Sequence, residues 1–293
     1  MIPERKSNDP IGRMFTPPRE GEVIRHGGSN YTLGEYVGQG AWGAVFHCTD
    51  DWENELVAKI LVPRNRTYEA VKDGWEKELR ALVHLRHPNI TYVYDAFEYR
   101  DTFYIIMERC AQSFYNLINA PGIDGDLWLP LVAHSVLQGI SFIHREGYVH
   151  KDIHPGNVFA SEIRDKMDPT KGPIVTFKIG DLGITNLELD LDVFNTMVGK
   201  WMLPPEFLEP DRFGKIGKQV DIYHAGLLFL SLLLGHVPTF TPEEILDGVP
   251  RRTAEGLESI YSPAIARALR RHVDSRTQTA IEFWKDISAL RRP

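Results

Sequence analysis

The hydrophobic period of this 293-residue chain changes part-way along, and that change limits the folds open to it. Between Tyr31 and about Ile106, short apolar runs alternate with turn residues. YTLGEYV from Tyr31, GAVFHCTD from Gly43, LVAKILV from Leu56 and residues 102–108 read as strands. One helix interrupts them over 67–86, where Val71, Trp75, Leu79, Leu82 and Leu85 share a face at about 100° per residue. Beyond residue 112 the pattern becomes helical. Residues 127–146 and 219–234 read as buried or amphipathic helices, with strand-like pieces at 157–160 and 175–179 between them. From about Thr241 onward helices and loops follow. A β-rich stretch followed by a helical one specifies an α+β fold, a small β-rich lobe and a larger helical lobe. A cleft between such lobes is the expected ligand site. Residues 1–28 carry Pro, Gly and charge without an apolar period and read as a flexible lead-in.

Composition excludes several classes. The net charge of −7 disfavours a general nucleic-acid binder, which needs a basic surface. MIPERKSNDP lacks the apolar stretch of a signal peptide. The run AGLLFLSLLLG from Ala225 is too short for a membrane span and reads as a buried helix. Cys48 and Cys110 fit neither a metal spacing nor a disulfide framework, so a reducing, cytoplasmic setting is expected.

Four motifs carry chemistry. Gly38, Gly40 and Gly43 form a G-x-G-x-x-G run, whose backbone can fold over phosphates without a Cβ in the way. A strand follows it instead of the helix of a dinucleotide fold, which favours a hairpin capping a nucleotide. Lys59 lies within an apolar strand, where it must be paired or carry its amine out to solvent. Glu78 falls inside the apolar stripe of the next helix, and Lys59 is the nearest upstream cation. Together they are suited to hold a phosphate, the lysine touching it and the glutamate orienting the lysine. In HKDIHPGNVF from His150, Asp152 and Asn157 place a proton acceptor and a neutral oxygen ligand on one loop. In KIGDLG from Lys178 a strand ends in an acidic turn. Asn157 and Asp181 are hard oxygen donors of the kind Mg²⁺ takes alongside phosphate. Each motif alone has an ordinary explanation as a turn or a packed core.

Taken in order, these residues resemble a eukaryotic-type protein kinase over 29–290. The resemblance implies a bilobal domain with an N-lobe over about 31–108, a hinge at 108–111 and a C-lobe over about 112–290. It implies ATP and Mg²⁺ (or Mn²⁺) as cofactors and a protein Ser/Thr hydroxyl as acceptor. Gly38, Gly40, Gly43 and Lys59 match the ATP-binding residues and Glu78 the helix-C glutamate. Asp152 matches the catalytic aspartate, and Asn157 and Asp181 the metal ligands. It implies an adenine pocket with Val45 and Ala58 as roof and Phe159 as floor, Met107 as gatekeeper, and Glu108 to Cys110 as hinge. Glu206, in LPPE, stands for the end of the activation segment. Asp221 and Gly226 begin the central C-lobe helix, and Arg276 is the late arginine that pairs with Glu206.

The chain departs from the pattern in places. Lys151 stands for the arginine before the catalytic aspartate and lacks its planar fork. Glu188, Asp190 and Asp192 are acids that would replace a regulatory phosphate. Leu182 stands for the D-F-G phenylalanine. The stretch 161–173, SEIRDKMDPTKGP, reads as an exposed loop. His154 stands where Ser/Thr kinases carry lysine, and is counted here with the catalytic residues. The form D-x-H-P-x-N is similar to the loop of aminoglycoside and choline phosphotransferases. A small-molecule kinase, or a pseudokinase scaffold, therefore competes with the protein kinase. PPE with its distant arginine favours a protein substrate.

Overall fold

A computed structural model of the chain describes residues 15–39, 43–63, 66–164, 167–168, 170–182, 186–187 and 202–290. The chain divides into two compact units, 1–86 with 91–109, and 87–90 with 110–293. The division after Arg109 falls inside the stretch 108–111.

The first unit is built on an antiparallel sheet. Its strands are β1 (Val23–His26), β2 (Ser29–Gln39), β3 (Gly43–Thr49), β4 (Glu55–Leu61), β5 (Val93–Tyr99) and β6 (Thr102–Glu108), in the order β1-β2-β3-β4-β6-β5. Alternation along the strands buries one face. Leu33, Phe46, Leu56, Ala58, Ile60, Phe97, Tyr104 and Ile106 form a continuous core there. Helix α1 (Tyr68–His84) starts where Thr67 accepts a bond from the Ala70 N–H. It is fastened to β6 by the Trp75 Nε1–H donating to the Tyr104 carbonyl at 3.1 Å, and by Tyr68 and Trp75 against Phe103.

One expectation is corrected here. Residues 15–28 are not a featureless lead-in, because β1 pairs with β2, Ile24 is fully buried and Phe15 joins the core. Within β1 only Ile24 points inward, so no two-residue period exists to be read. Strand β5 is equally silent, since Phe97 is its one buried residue.

The second unit contains β7 (Gln112–Ser113), α2 (Phe114–Ile118), α3 (Gly125–Arg145), β8 (Tyr148–Val149), β9 (Val158–Ile163), β10 (Ile174–Ile179) and β11 (Asn186–Leu187). Then come α4 (Pro205–Leu208), α5 (Pro210–Phe213), α6 (Gln219–Leu234), α7 (Pro242–Asp247), α8 (Val249–Glu255), α9 (Ser262–Ala268) and α10 (Ala280–Ser288). The centre is α6, whose residues from Val220 to Leu232 are all buried. Helix α3 is long and apolar enough to cross a bilayer by length and composition. However, 61% of its apolar window is buried inside the protein, as for a core helix. The stretch 161–173 is not all loop: β9 runs on to Ile163 and pairs with β10 from Ile174. Ile163 and Ile174 project into solvent, so the hairpin end carries little apolar signal.

A buried ion pair joins α4 to the segment after α9. Arg276 donates through both terminal nitrogens to Glu206, at 2.7 Å each. It also donates to the carbonyls of Arg270, Arg271 and Gln219, and its guanidinium lies over the Tyr223 ring at 4.8 Å. Both side chains are fully buried.

Candidate active site

In the first unit the site residues gather on the sheet face opposite the core. Across the β3–β4 and β4–β6 ladders, Val45 lies opposite Lys59, Lys59 opposite Ile105, and Val57 opposite Met107. Residues directly opposite share a face, so Val45, Val57, Lys59, Ile105 and Met107 line one surface. Lys59 Nζ meets Glu78 Oε1 of α1 at 2.7 Å, with side-chain exposures of 8% and 3%. The helical period places Glu78 in the apolar stripe and the strand period aims Lys59 at it. The pairing read from the two sequences is thus formed.

Ala58 is a correction. It alternates with Lys59, is fully buried, and belongs to the core on the other face with Phe46 and Ile106. Val57, two residues before Lys59, holds the place on the lysine face. The two-residue strand period was the signal that identifies it. The glycines separate by geometry. A Cβ on Gly43 would come within 2.3 Å of the Ile60 carbonyl oxygen, whereas one on Gly38 meets nothing within 4 Å. Gly43 is therefore required by the neighbouring strand itself. Gly40 lies outside the described residues. Glu108 closes β6, where its backbone N–H donates to the Tyr92 carbonyl and its Oε1 accepts the Tyr92 N–H. Cys110 falls after the division, in the second unit.

In the second unit the loop between β8 and β9 carries Asp152, His154 and Asn157, and Phe159 lies half-buried on β9. The loop is suspended from the first turn of α6. Asp221 accepts the backbone N–H groups of His150 at 2.9 Å and Lys151 at 2.7 Å, and its Oδ2 lies 2.8 Å from His144 Nε2. Burial alone would raise the Asp221 carboxyl, but His144 and these donors hold it below its ordinary value. The sequence marked Asp221 only as a helix start. A carboxylate opening a buried helix must be satisfied by donors, and that was the missed signal.

His150 is fixed by two bonds. Its Nδ1 accepts the Asp152 N–H at 3.2 Å, so Nε2 carries the proton and donates to the Gly180 carbonyl at 3.1 Å. Burial lowers the His150 pKa, consistent with this neutral ring. The loop thereby ties the backbone of Asp152 to the turn holding Asp181. Lys151 and Asp181 both sit at positive φ, 70° and 56°, and Lys151 is fully buried. Such strain in non-glycine residues is held by surrounding bonds and clusters at functional sites.

Asn157 Nδ2 donates to the Asp152 carbonyl at 3.0 Å and to Asp152 Oδ2 at 3.2 Å. The amide nitrogen is thus spent on Asp152, and the amide oxygen faces away as a hard donor. Asp181 is near enough that its charge raises the Asp152 pKa. Burial raises that pKa first, while His154 lowers it. His154 Nδ1 accepts the Gly156 N–H at 3.0 Å, and its Nε2 stands 3.7 Å from Asp152 Oδ2. A Cβ on Gly156 would meet the His154 ring at 2.9 Å, so glycine is needed for this placement. Burial lowers the His154 pKa, while Asp152 opposes the shift. Asn157 and Asp181 supply the oxygen donors that a divalent cation with phosphate ligands takes, so they fit one. Among the described residues no group of three or more His, Cys, Asp or Glu side chains could hold a metal ion unaided. Glu188, Asp190 and Asp192 lie outside the described residues.

Comparison with known proteins bears on the whole arrangement. Calcium-dependent protein kinase 8 of Arabidopsis thaliana is 31% identical over 218 residues, covering 73% of this chain and 38% of that protein. Cyclin-dependent kinase-like 4 of Mus musculus is 27% identical over 201 residues, covering 68% and 55%. Serine/threonine-protein kinase 4 homolog B of Dictyostelium discoideum is 26% identical over 246 residues, covering 81% and 20%. The chain thus spans from a fifth to about half the length of these relatives. The family model described as protein kinase domain matches residues 31–289, which takes in Lys59, Glu78, Asp152, Asn157, Asp181, Glu206 and Arg276, and the chain belongs to that family.

Proposed function

We propose that this chain transfers the γ-phosphoryl group of ATP to serine or threonine hydroxyls of proteins. The observation that carries the reading is the state of Asp152. Its carboxylate is bonded to Asn157, its backbone N–H to His150, and the loop to buried Asp221. A carboxylate so fixed can orient an acceptor hydroxyl and take its proton. Lys59, oriented by Glu78, holds phosphate oxygens as a point charge. Gly38, Gly40 and Gly43 bring backbone N–H groups to the phosphates, and Val45, Val57 and Met107 offer apolar surface to the adenine. Phe159, Glu108 and Cys110 complete the adenine contacts in this proposal. Asn157 and Asp181 hold Mg²⁺ or Mn²⁺, which neutralises phosphate charge when bound with the nucleotide. His154 stands beside Asp152, its Nε2 3.7 Å from Oδ2. Names among the relatives that specify serine/threonine kinase support the choice of acceptor. Retention of Lys59, Asn157 and Asp181 supports catalysis over a scaffold.

The test uses labelled ATP with Mg²⁺, a generic protein substrate, and a panel of aminoglycosides and choline. Label is expected on protein alone. Asp152→Asn should lower turnover about 10²- to 10⁴-fold while ATP binding is retained. Near-normal transfer by that variant would remove Asp152 from its role.

A further inference from the structure

Helices α3 and α10 leave a groove of about 250 Å³ between them, lined also by His87. None of the residues lining it belongs to the loop of Asp152. Its floor is aromatic, made by Phe142 of α3 and Trp284 of α10. Its polar groups are cationic or neutral, and no carboxylate lines it among the described residues. His87 stacks on Phe142 with centroids 4.9 Å apart, and its Nδ1 accepts the Asn89 N–H at 3.1 Å. That leaves the proton on Nε2. Arg145 places its guanidinium over the same Phe142 ring at 5.0 Å. Its Nε also meets Glu146 Oε1 at 3.3 Å, but that pair joins adjacent exposed residues and holds it weakly. Trp284 stands edge-on to His134 at 4.9 Å.

The apolar surface continues outside the groove. Beyond the lining residue Ile281, itself 57% exposed, Leu131 and Leu127 on α3 are 40% and 74% exposed. On a chain with net charge −7, the groove presents the Arg145 guanidinium and the N–H donor of His87 at its rim, with no lining carboxylate among the described residues. Its volume falls below the roughly 300–1,000 Å³ of drug-sized sites and suits a single large side chain. An apolar strip leading from it suits further contacts of an extended segment.

We propose that this groove docks an acidic peptide segment of a partner protein. One apolar side chain of the segment seats against Phe142 and Trp284, and flanking carboxylates meet Arg145 and His87. Charge complementarity identifies the occupant, because the Arg145 cation and the His87 N–H are offered beside an apolar anchor site that no carboxylate lines among the described residues.

The probe is a fluorescein-labelled peptide carrying two acidic residues on each side of a Leu-Phe pair. Its counterpart replaces every acid by lysine. Anisotropy with the full chain should show saturable binding of the acidic peptide and at least about tenfold weaker binding of the lysine form. Arg145→Glu and Ile281→Asp should each weaken the acidic peptide about tenfold. Both side chains are largely exposed, so both variants should keep the parent melting temperature and its transfer to a generic substrate. Absence of saturable binding, equal affinity for the two peptides, or unchanged affinity in both variants overturns the proposal.

Discussion

Each unit contains a buried ion pair, and the two are built differently. In the first, the Lys59 ammonium meets Glu78 from a strand. In the second, the Arg276 fork meets both oxygens of Glu206 and also caps the carbonyls of Arg270, Arg271 and Gln219. An ammonium on a flexible stem can turn toward a phosphate oxygen while keeping its carboxylate. A guanidinium committed to one carboxylate and three carbonyls has no donor to lend without leaving a buried acceptor unmet. Burial of charge therefore does not by itself mark a working site. The donor geometry around the cation separates the proposed phosphate holder from a joint.

The largest effect expected from this contrast is on transfer. Lys59→Met should reduce phosphoryl transfer about 10²- to 10³-fold, the scale for losing one electrostatic contact at the reacting group. Adding Glu78→Leu should leave transfer low yet return the unfolding free energy to within about 2 kcal/mol of the parent, since an apolar pair can replace a buried ion pair. Transfer retained in the double variant would break the comparison on this side. For the second pair the matching double variant, Arg276→Met with Glu206→Leu, should not recover. Three carbonyls lose their donor, and urea denaturation should show a loss of at least about 3 kcal/mol. A neutral double variant there would show that the two pairs are alike after all.

The smallest effect is a pH dependence confined to the second unit. Burial pushes the His224 pKa down to about 4, against an ordinary 6.5, while Asp221 opposes the shift and Arg276 adds to it. The unfolded chain thus binds more protons than the folded one between those values, and stability must fall as pH falls through them. Burial lowers the His150 pKa too, which adds in the same direction. His224→Phe should flatten the slope of denaturation midpoint against pH over about 4 to 6.5. An unchanged slope would place the acid sensitivity elsewhere.

What could be read from sequence follows from how strongly each residue breaks its local pattern. Lys59 in an apolar strand and Glu78 in an apolar helical stripe both violate burial rules, so each pointed to the other. Helix α6 was legible to the residue because a strongly apolar run of that length, Ala225 to Leu234 with Ser231 its one polar member, reads as a buried helix. Strands β1 and β5 were not, because each sends one apolar side chain inward. Ala58 was misplaced because an alanine fits either face of a sheet, and pairing alone decides which. The suspension of the Asp152 loop from Asp221 crosses about 70 residues of chain, a span over which no local period carries information.

That suspension makes the deepest helix and the proposed proton acceptor one mechanical part. Asp221 holds two consecutive backbone N–H groups, so a shift of α6 is transmitted to Asp152 without an intervening joint. A volume change at Leu227 or Phe229, both fully buried, should disturb turnover before it unfolds the chain. In any screen scored by activity alone, such core lesions would be sorted with the catalytic ones, although neither side chain belongs to the loop of Asp152.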